Sequence, residues 1–283
     1  MTGASRRGSS LVELVVALSG LLILAALVSA VIISQLRVAL TQEARSGLGN
    51  GLRTGVTFLK GEWRGLTPVA GDSTGDLLSL ASDALTYRAS RASAFACAGG
   101  EDHLLLRAEP WYGWRQVAVD RDSLLVLAEG DTTTGADDRW VALPVTSLGS
   151  GSCAGGSAIM VGTILDSALV QRDFRFDAPV IAFEIMQVKS YPQGSETWLG
   201  VRSVSSGEVI QPLLGPLDAS GLRLNYLDAH EAPTNVPAEV RTILATLPLV
   251  SEQPVHAHGF QGPRSRIRDS AAVRLTLQAT AGR

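Results

Sequence analysis

Lysine is nearly absent from this sequence: Lys60 and Lys189 are the only two among 24 basic residues, and the arginines are scattered rather than striped. With a formal net charge of −3, this leaves no electrostatic footprint for nucleic acid, and none is expected as a partner. Histidine is scarce too. His256 and His258 stand two apart on a loop with no carboxylate in easy reach, so they read as solvated rather than metal-bound. Asp218, Asp228 and Glu231 offer hard oxygen ligands on turns, but the twelve-residue ligand spacing of an EF-hand is missing. No metal and no cofactor is expected. Catalytic spacings are equally thin. Gly71-Asp72-Ser73-Thr74-Gly75 fits a nucleophile elbow by letters, yet a helix end and Pro68 precede it where that motif needs a strand. Gly47-Leu48-Gly49-Asn50-Gly51 follows no strand and opens no βαβ unit, so it reads as a loose stretch of helix.

Charge is also missing from one long run. From Leu14 to Ile33 twenty residues carry none. At about 1.5 Å per helical residue they cover about 30 Å, the thickness of a bilayer core. The segment is therefore expected to span a membrane. Arg6 and Arg7 before it, with no basic cluster directly after it, place the N-terminus in the cytoplasm and the remaining chain outside. Glu13 is the one acid in the apolar stretch, and a carboxylate there costs about 2.5–3.5 kcal/mol on the lenient insertion scale. Either it snorkels from the helix end or it serves a function. Ala25 and Ser29, and Ala26 and Ala30, put small residues on one helix face, where another helix can approach.

Gly8 followed by Ser9-Ser10-Leu11-Val12-Glu13-Leu14 resembles the class III leader and mature start of type IV pilins and type II secretion pseudopilins. The resemblance implies cleavage by a prepilin peptidase after Gly8, a mature N-terminus at Ser9 open to N-methylation, and Glu13 at the fifth mature position. It further implies that the Glu13 carboxylate meets the Ser9 ammonium of a neighbouring subunit when the helices bundle without water. Ser9 replaces the usual aromatic first residue, and no proline interrupts the helix before Pro68, which leans toward a minor subunit. Trp198-Leu199-Gly200-Val201-Arg202, Gln211-Pro212-Leu213 and Leu222 to Asp228 look like the C-terminal pattern of W-type minor pilins and J-type minor pseudopilins. The expected partners are the peptidase, other pilin or pseudopilin subunits and the inner membrane.

Past the membrane the helix is expected to continue. Leu36, Leu40, Ala44, Leu48, Leu52, Val56, Leu59 and Trp63 form an apolar stripe, with Arg37, Gln42, Arg45, Arg53 and Lys60 facing away. Gly47, Gly49, Gly51 and Gly55 weaken it by about 1 kcal/mol each, so docking must hold it. Short β-type runs follow: Leu77 to Leu80, Ala84 to Arg88, Leu104 to Arg107, Gln116 to Val119, Leu124 to Leu127 and Trp140 to Val145. The second half continues with Val180 to Val188, Thr197 to Val204, Val209 to Leu214, Gly221 to Leu227, Val240 to Leu247 and Ala271 to Ala279. Ser251 to Asp269 reads as a long loop. Cys97 and Cys153, outside the membrane, are expected to form a disulfide worth about 4 kcal/mol, closing a possible insertion over residues 97–156.

The expected organisation is thus a leader (1–8), a transmembrane and filament-core helix (9–35), an amphipathic helix (36–66) and a β-rich headpiece (67–283). The fold class is α+β and pilin-like, a long helix packed on antiparallel sheet. The expected function is non-catalytic: a minor pilin or pseudopilin that helps initiate or cap a filament, held in the inner membrane with its headpiece outside. The alternative is an extracytoplasmic enzyme or binding domain carried by an ordinary anchor or signal peptide, which would be cut after Ala30.

Overall fold

A computed structural model describes residues 11–68, 75–100, 102–113, 115–128, 139–154, 156–163, 178–255 and 264–277. It shows an α+β chain with one long apolar helix and a large antiparallel sheet. Contacts divide the chain into two compact units, Met1–Gly49 with Ser251–Arg268, and Asn50–Val250 with Asp269–Arg283.

Helix α1 (Leu11–Trp63) is unbroken for 53 residues, about 80 Å of rise. Alanine, leucine and valine dominate it and no proline enters it. Every residue from Leu11 to Ile33 is exposed, so this stretch is apolar without being anyone's core within the chain. It is long and apolar enough to cross a membrane. In the same unit, the run after Ser251 is zipped at its base. Ser251 and Ile267 exchange hydrogen bonds, and Val255 pairs with Ser265.

The apolar stripe expected on α1 is correct only in its second half. Leu48, Leu52, Leu59 and Trp63 are buried, whereas Leu36 and Leu40 are 58% and 54% exposed. The reason is helical phase. Steps of four residues rotate by about 40° each, so a run of fours starting at Leu36 walks around the helix. The covered positions Ser34, Arg37, Thr41, Ala44 and Leu48 alternate steps of three and four and so hold one face.

The sheet is built around two 16-residue strands, β2 (Ala84–Gly99) and β9 (Ala178–Gln193), which pair over most of their length. The strand order is β12-β13-β11-β10-β9-β2-β3-β8-β7. Here β3 is His103–Arg107, β7 Ser147–Cys153, β8 Gly156–Gly162, β10 Glu196–Ser203, β11 Gln211–Leu217, β12 Arg223–Leu227 and β13 Thr242–Val250. The other strands attach at the sides: β1 (Leu77–Leu80) and β4 (Tyr112–Gly113) on β2, β5 (Ser123–Ala128) on β9, β6 (Arg139–Pro144) on β5, and β14 (Arg268–Thr276) on β13. Gln116 to Val119, expected as a strand, is not one. Ala118 and Asp122 close a turn there, with Ala118 N donating to Asp122 Oδ2 at 2.8 Å.

Up to Ala89 the odd residues of β2 are buried; from Ala92 the even ones are. A bulge between Ser90 and Ala92 inserts the extra residue that switches the phase while keeping both halves on one face. On that face the end of α1 covers the first half. Gly51 and Gly55 bring the helix close enough that a β-carbon on Gly55 would meet Leu214 Cδ2 at 2.6 Å and Leu247 Cδ1 at 3.1 Å. Trp63 meets Tyr87 edge to face, ring centroids 6.3 Å apart. The second half has its own core, formed by Ala92, Ala94, Ala96, Leu104, Leu106, Leu124, Val126, Val161, Val180 and Ala182.

Candidate functional site: Glu13 in the apolar part of the helix and a charged junction in the sheet

Glu13 lies in the first turn of α1, on an exposed face between Val12 and Leu14. Gly8 and Ser9 lie outside the described residues, so the geometry of the cleavage motif is not part of the structure.

The most densely charged place in the described chain is one that sequence reasoning missed. Between the two cores, Glu184 of β9 is 1% exposed and accepts hydrogen bonds from three arginines. Arg91, at the β2 bulge, donates from Nε to Glu184 Oε2 at 3.0 Å; Arg115 reaches the same oxygen from Nη2 at 3.2 Å; Arg121 Nε reaches Oε1 at 2.5 Å. Each arginine is also held from behind. Arg91 Nη1 donates to Glu62 of α1 at 3.0 Å, Arg115 forks onto the buried Asp122 at 2.5 and 2.6 Å, and Arg121 Nη1 lies 3.4 Å from Glu208. Tyr87 Oη donates to Glu62 at 3.0 Å.

Backbone connectivity explains why charge collects there. The far edge of β9 pairs with β10 from Met186 to Gln193 and with β5 from Val180 to Phe183, so its neighbour changes at Glu184 and Ile185. Val204 N donates to Ile185 O at 2.7 Å, and the Ser203–Glu208 turn fills the gap. Burial pushes the Glu184 carboxyl upward, but hydrogen bonds from Ser203, Arg121 and Arg91 outweigh it and hold the group below its ordinary range. Arg115 is raised, chiefly by its bonds to Asp122. Burial drives Tyr87 well above the usual phenol value, with Glu62 adding to it. Every charge in the cluster has an opposite partner within the fold. The arrangement is suited to holding α1, both halves of the sheet and the Arg115–Asp122 turn in one register.

Cys97 and Cys153 form a disulfide, Cα atoms 6.0 Å apart. In the sheet β3 and β8 stand between their strands, roughly 14 Å in a flat sheet, so the bridge draws the β7–β8 tip back over β2. The candidate hard-oxygen ligands serve their own turns. Asp218 Oδ1 accepts from Ser220 N at 2.8 Å, Asp228 Oδ1 accepts from His230 N and Ala232 N at 2.8 and 2.9 Å, and Glu231 pairs with Arg274. His256, His258 and residues 71–74 lie outside the described residues. Among the described residues no three His, Cys, Asp or Glu side chains come together to hold a metal.

A signal for the junction was present in the sequence. Glu184 is the single acid in the apolar run Val180 to Val188, just as Glu13 is in the apolar first part of the helix, up to Ile33. Comparison with family models, with curated proteins and with solved structures returns no match to this chain.

Proposed function

We propose that this chain is a non-catalytic minor subunit of a pilin-like filament, a type IV pilus or a type II secretion pseudopilus, placed at its initiation point or tip. The observation that carries the reading is α1: 53 uninterrupted residues, the first part apolar and exposed with one carboxylate in its first turn, the last part buried on a sheet. That combination suits a helix that leaves lipid to bundle with others of its kind. Together with the leader-like stretch Gly8 to Leu14, it implies processing after Gly8, N-methylation of Ser9, and pairing of Glu13 with the Ser9 ammonium of a neighbour. On this reading the sheet is a pilin-like headpiece on the outer side of the inner membrane, and residues 97–156 are an elaboration closed by the disulfide. A headpiece of this size is easier to place once than to repeat along a filament.

Mass spectrometry of the mature N-terminus tests the processing. A start at Ser9 supports the proposal; a start at Val31 means simple secretion, and a retained Met1 a plain anchor. Crosslinking to pilin-like subunits tests assembly. Glu13→Gln and Glu13→Val should insert and be cleaved at wild-type levels yet associate poorly, and unchanged association of both would remove the role given to Glu13.

A further inference from the structure

The β9–β10 hairpin has a second face, directed away from α1. Its register pairs Trp198 with Tyr191, Gly200 with Lys189 and Arg202 with Gln187, without a slip from Glu196 to Ser203. Alternation puts these six residues on one face, while Val188 and Leu199 are buried on the other. Where β10 meets β11, a β-carbon on Gly215 would lie 2.5, 2.7 and 2.9 Å from Cδ2, Cε3 and Cγ of Trp198. Near-equal distances to three consecutive ring atoms put that point above the ring face, not at its edge. The indole therefore lies flat over the backbone of Gly215, and the residue is partly exposed. Beside it, the β-carbon position of Gly200 is filled by Ile210 and by Tyr191, whose Cε1 lies 2.6 Å from it, and both aromatic rings are partly exposed.

Next to the rings is a chain of planar polar groups. Arg202 Nε donates to Gln187 Oε1 at 2.9 Å, and Gln187 Nε2 donates to Thr86 Oγ1 at 3.1 Å. Among the described residues neither Lys189 nor Arg202 is in an ion pair. Both cations are thus left to an outside anion.

We infer that this face binds an acidic polysaccharide. The apolar C–H face of a sugar ring stacks on a flat aromatic ring, and its equatorial hydroxyls and carboxylate lie level with the amide, guanidinium and ammonium beside it. From Trp198 to Arg202 the platform runs about 14 Å, room for roughly two or three sugars. A protein partner is the weaker match, because aromatics that anchor protein interfaces fill fully desolvated pockets, and Trp198 lies flat over Gly215 at a partly exposed position. A polynucleotide carries charge of the same sign, but its backbone is tracked by an extended basic groove, and this face offers only Lys189 and Arg202. The inference stands whether or not the chain enters a filament.

The test is affinity electrophoresis of the detergent-solubilised full chain through native gels containing polygalacturonate, with dextran as the neutral control and labelled oligothymidylate titrated separately. Polygalacturonate should retard the wild type, relative to its mobility in an empty gel, and Trp198→Ala and Lys189→Glu should each weaken the retardation at least tenfold. Trp198 covers backbone and its loss risks the fold, so Lys189→Glu, at a partly exposed position, keeps the test decisive. The inference is overturned by a wild type that polygalacturonate does not retard, by equal retardation in dextran, by undiminished retardation of Lys189→Glu, or by tighter binding of oligothymidylate.

Discussion

Replacing Glu184 by glutamine keeps the shape of the side chain and removes the one charge on which three arginines converge. Glu62 and Asp122 would then face Arg91, Arg115 and Arg121 alone, with Glu208 only at the rim. Stranding a buried cation by removing its partner costs about 3–5 kcal/mol. For a domain of this size about 2–4 °C of melting temperature goes with each kcal/mol, so Glu184→Gln should lower it by roughly 6–20 °C at pH 7. Adding Arg121→Gln removes the surplus cation, and the double variant should recover part of the loss instead of summing the two. The pH dependence has a fixed sign. Because the folded carboxyl is held below its ordinary value, its ionisation stabilises the fold fully above the unfolded pKa of about 4.3 and ceases to do so as pH falls through the lower folded value. The gap between wild type and Glu184→Gln should therefore be constant from pH 6 to 8 and narrow below about pH 4. Differential scanning fluorimetry across that range measures it. A variant melting within 2 °C of wild type at pH 7, or a gap that widens in acid, would refute the reasoning.

The glycines of α1 should separate by what stands over them. Gly61→Ala meets nothing within 4 Å and should stabilise by up to about 1 kcal/mol through helix propensity, whereas Gly55→Ala runs into Leu214 and should destabilise despite the same gain; urea melts rank the pair. Leu36→Ser and Leu40→Ser should leave the melting temperature unchanged because both side chains are exposed, while Leu59→Ala should cost about 2–5 kcal/mol; the same melts decide, and a large loss at Leu36 would contradict the helix phase. Thiol labelling of denatured, unreduced protein should find Cys97 and Cys153 blocked, and replacing both by serine should cost about 2–4 kcal/mol in a urea titration.

The long helix was legible because its signal is compositional, twenty uncharged residues in a row, and needs no knowledge of what it touches. Strands were legible where the residues favour them, as in Val180 to Val188. The rest of the sheet was not. Beyond Arg88, β2 continues through alanines and serines that carry no β-preference, and β9 pairing holds it extended to Ala96. The strands β7 and β8, rich in glycine and serine, went unread for the same reason, though they pair over seven residues. The helix stripe failed at Leu36 and Leu40 because apolar residues four apart look like one face over two turns and drift off it over four.

One sequence signal, a lone acid inside an apolar run, occurs twice in this chain, and its two settings call for different physics. Around Glu184 the fold gathers arginines from 63 to 93 positions away, which no local reading of β9 reveals. Such a solution is open to a sheet, where distant segments meet. The first basic residue after Glu13 is Arg37, about 36 Å further along the axis. In the proposed filament, where water is excluded around Glu13, the counter-charge we propose for it is the Ser9 ammonium of another chain. The two acids should then divide by assay. Glu184→Gln lowers the stability of each isolated chain, while Glu13→Gln leaves that stability unchanged and acts only on association. A loss of chain stability in Glu13→Gln equal to that in Glu184→Gln would place both acids in one intramolecular role and remove the distinction.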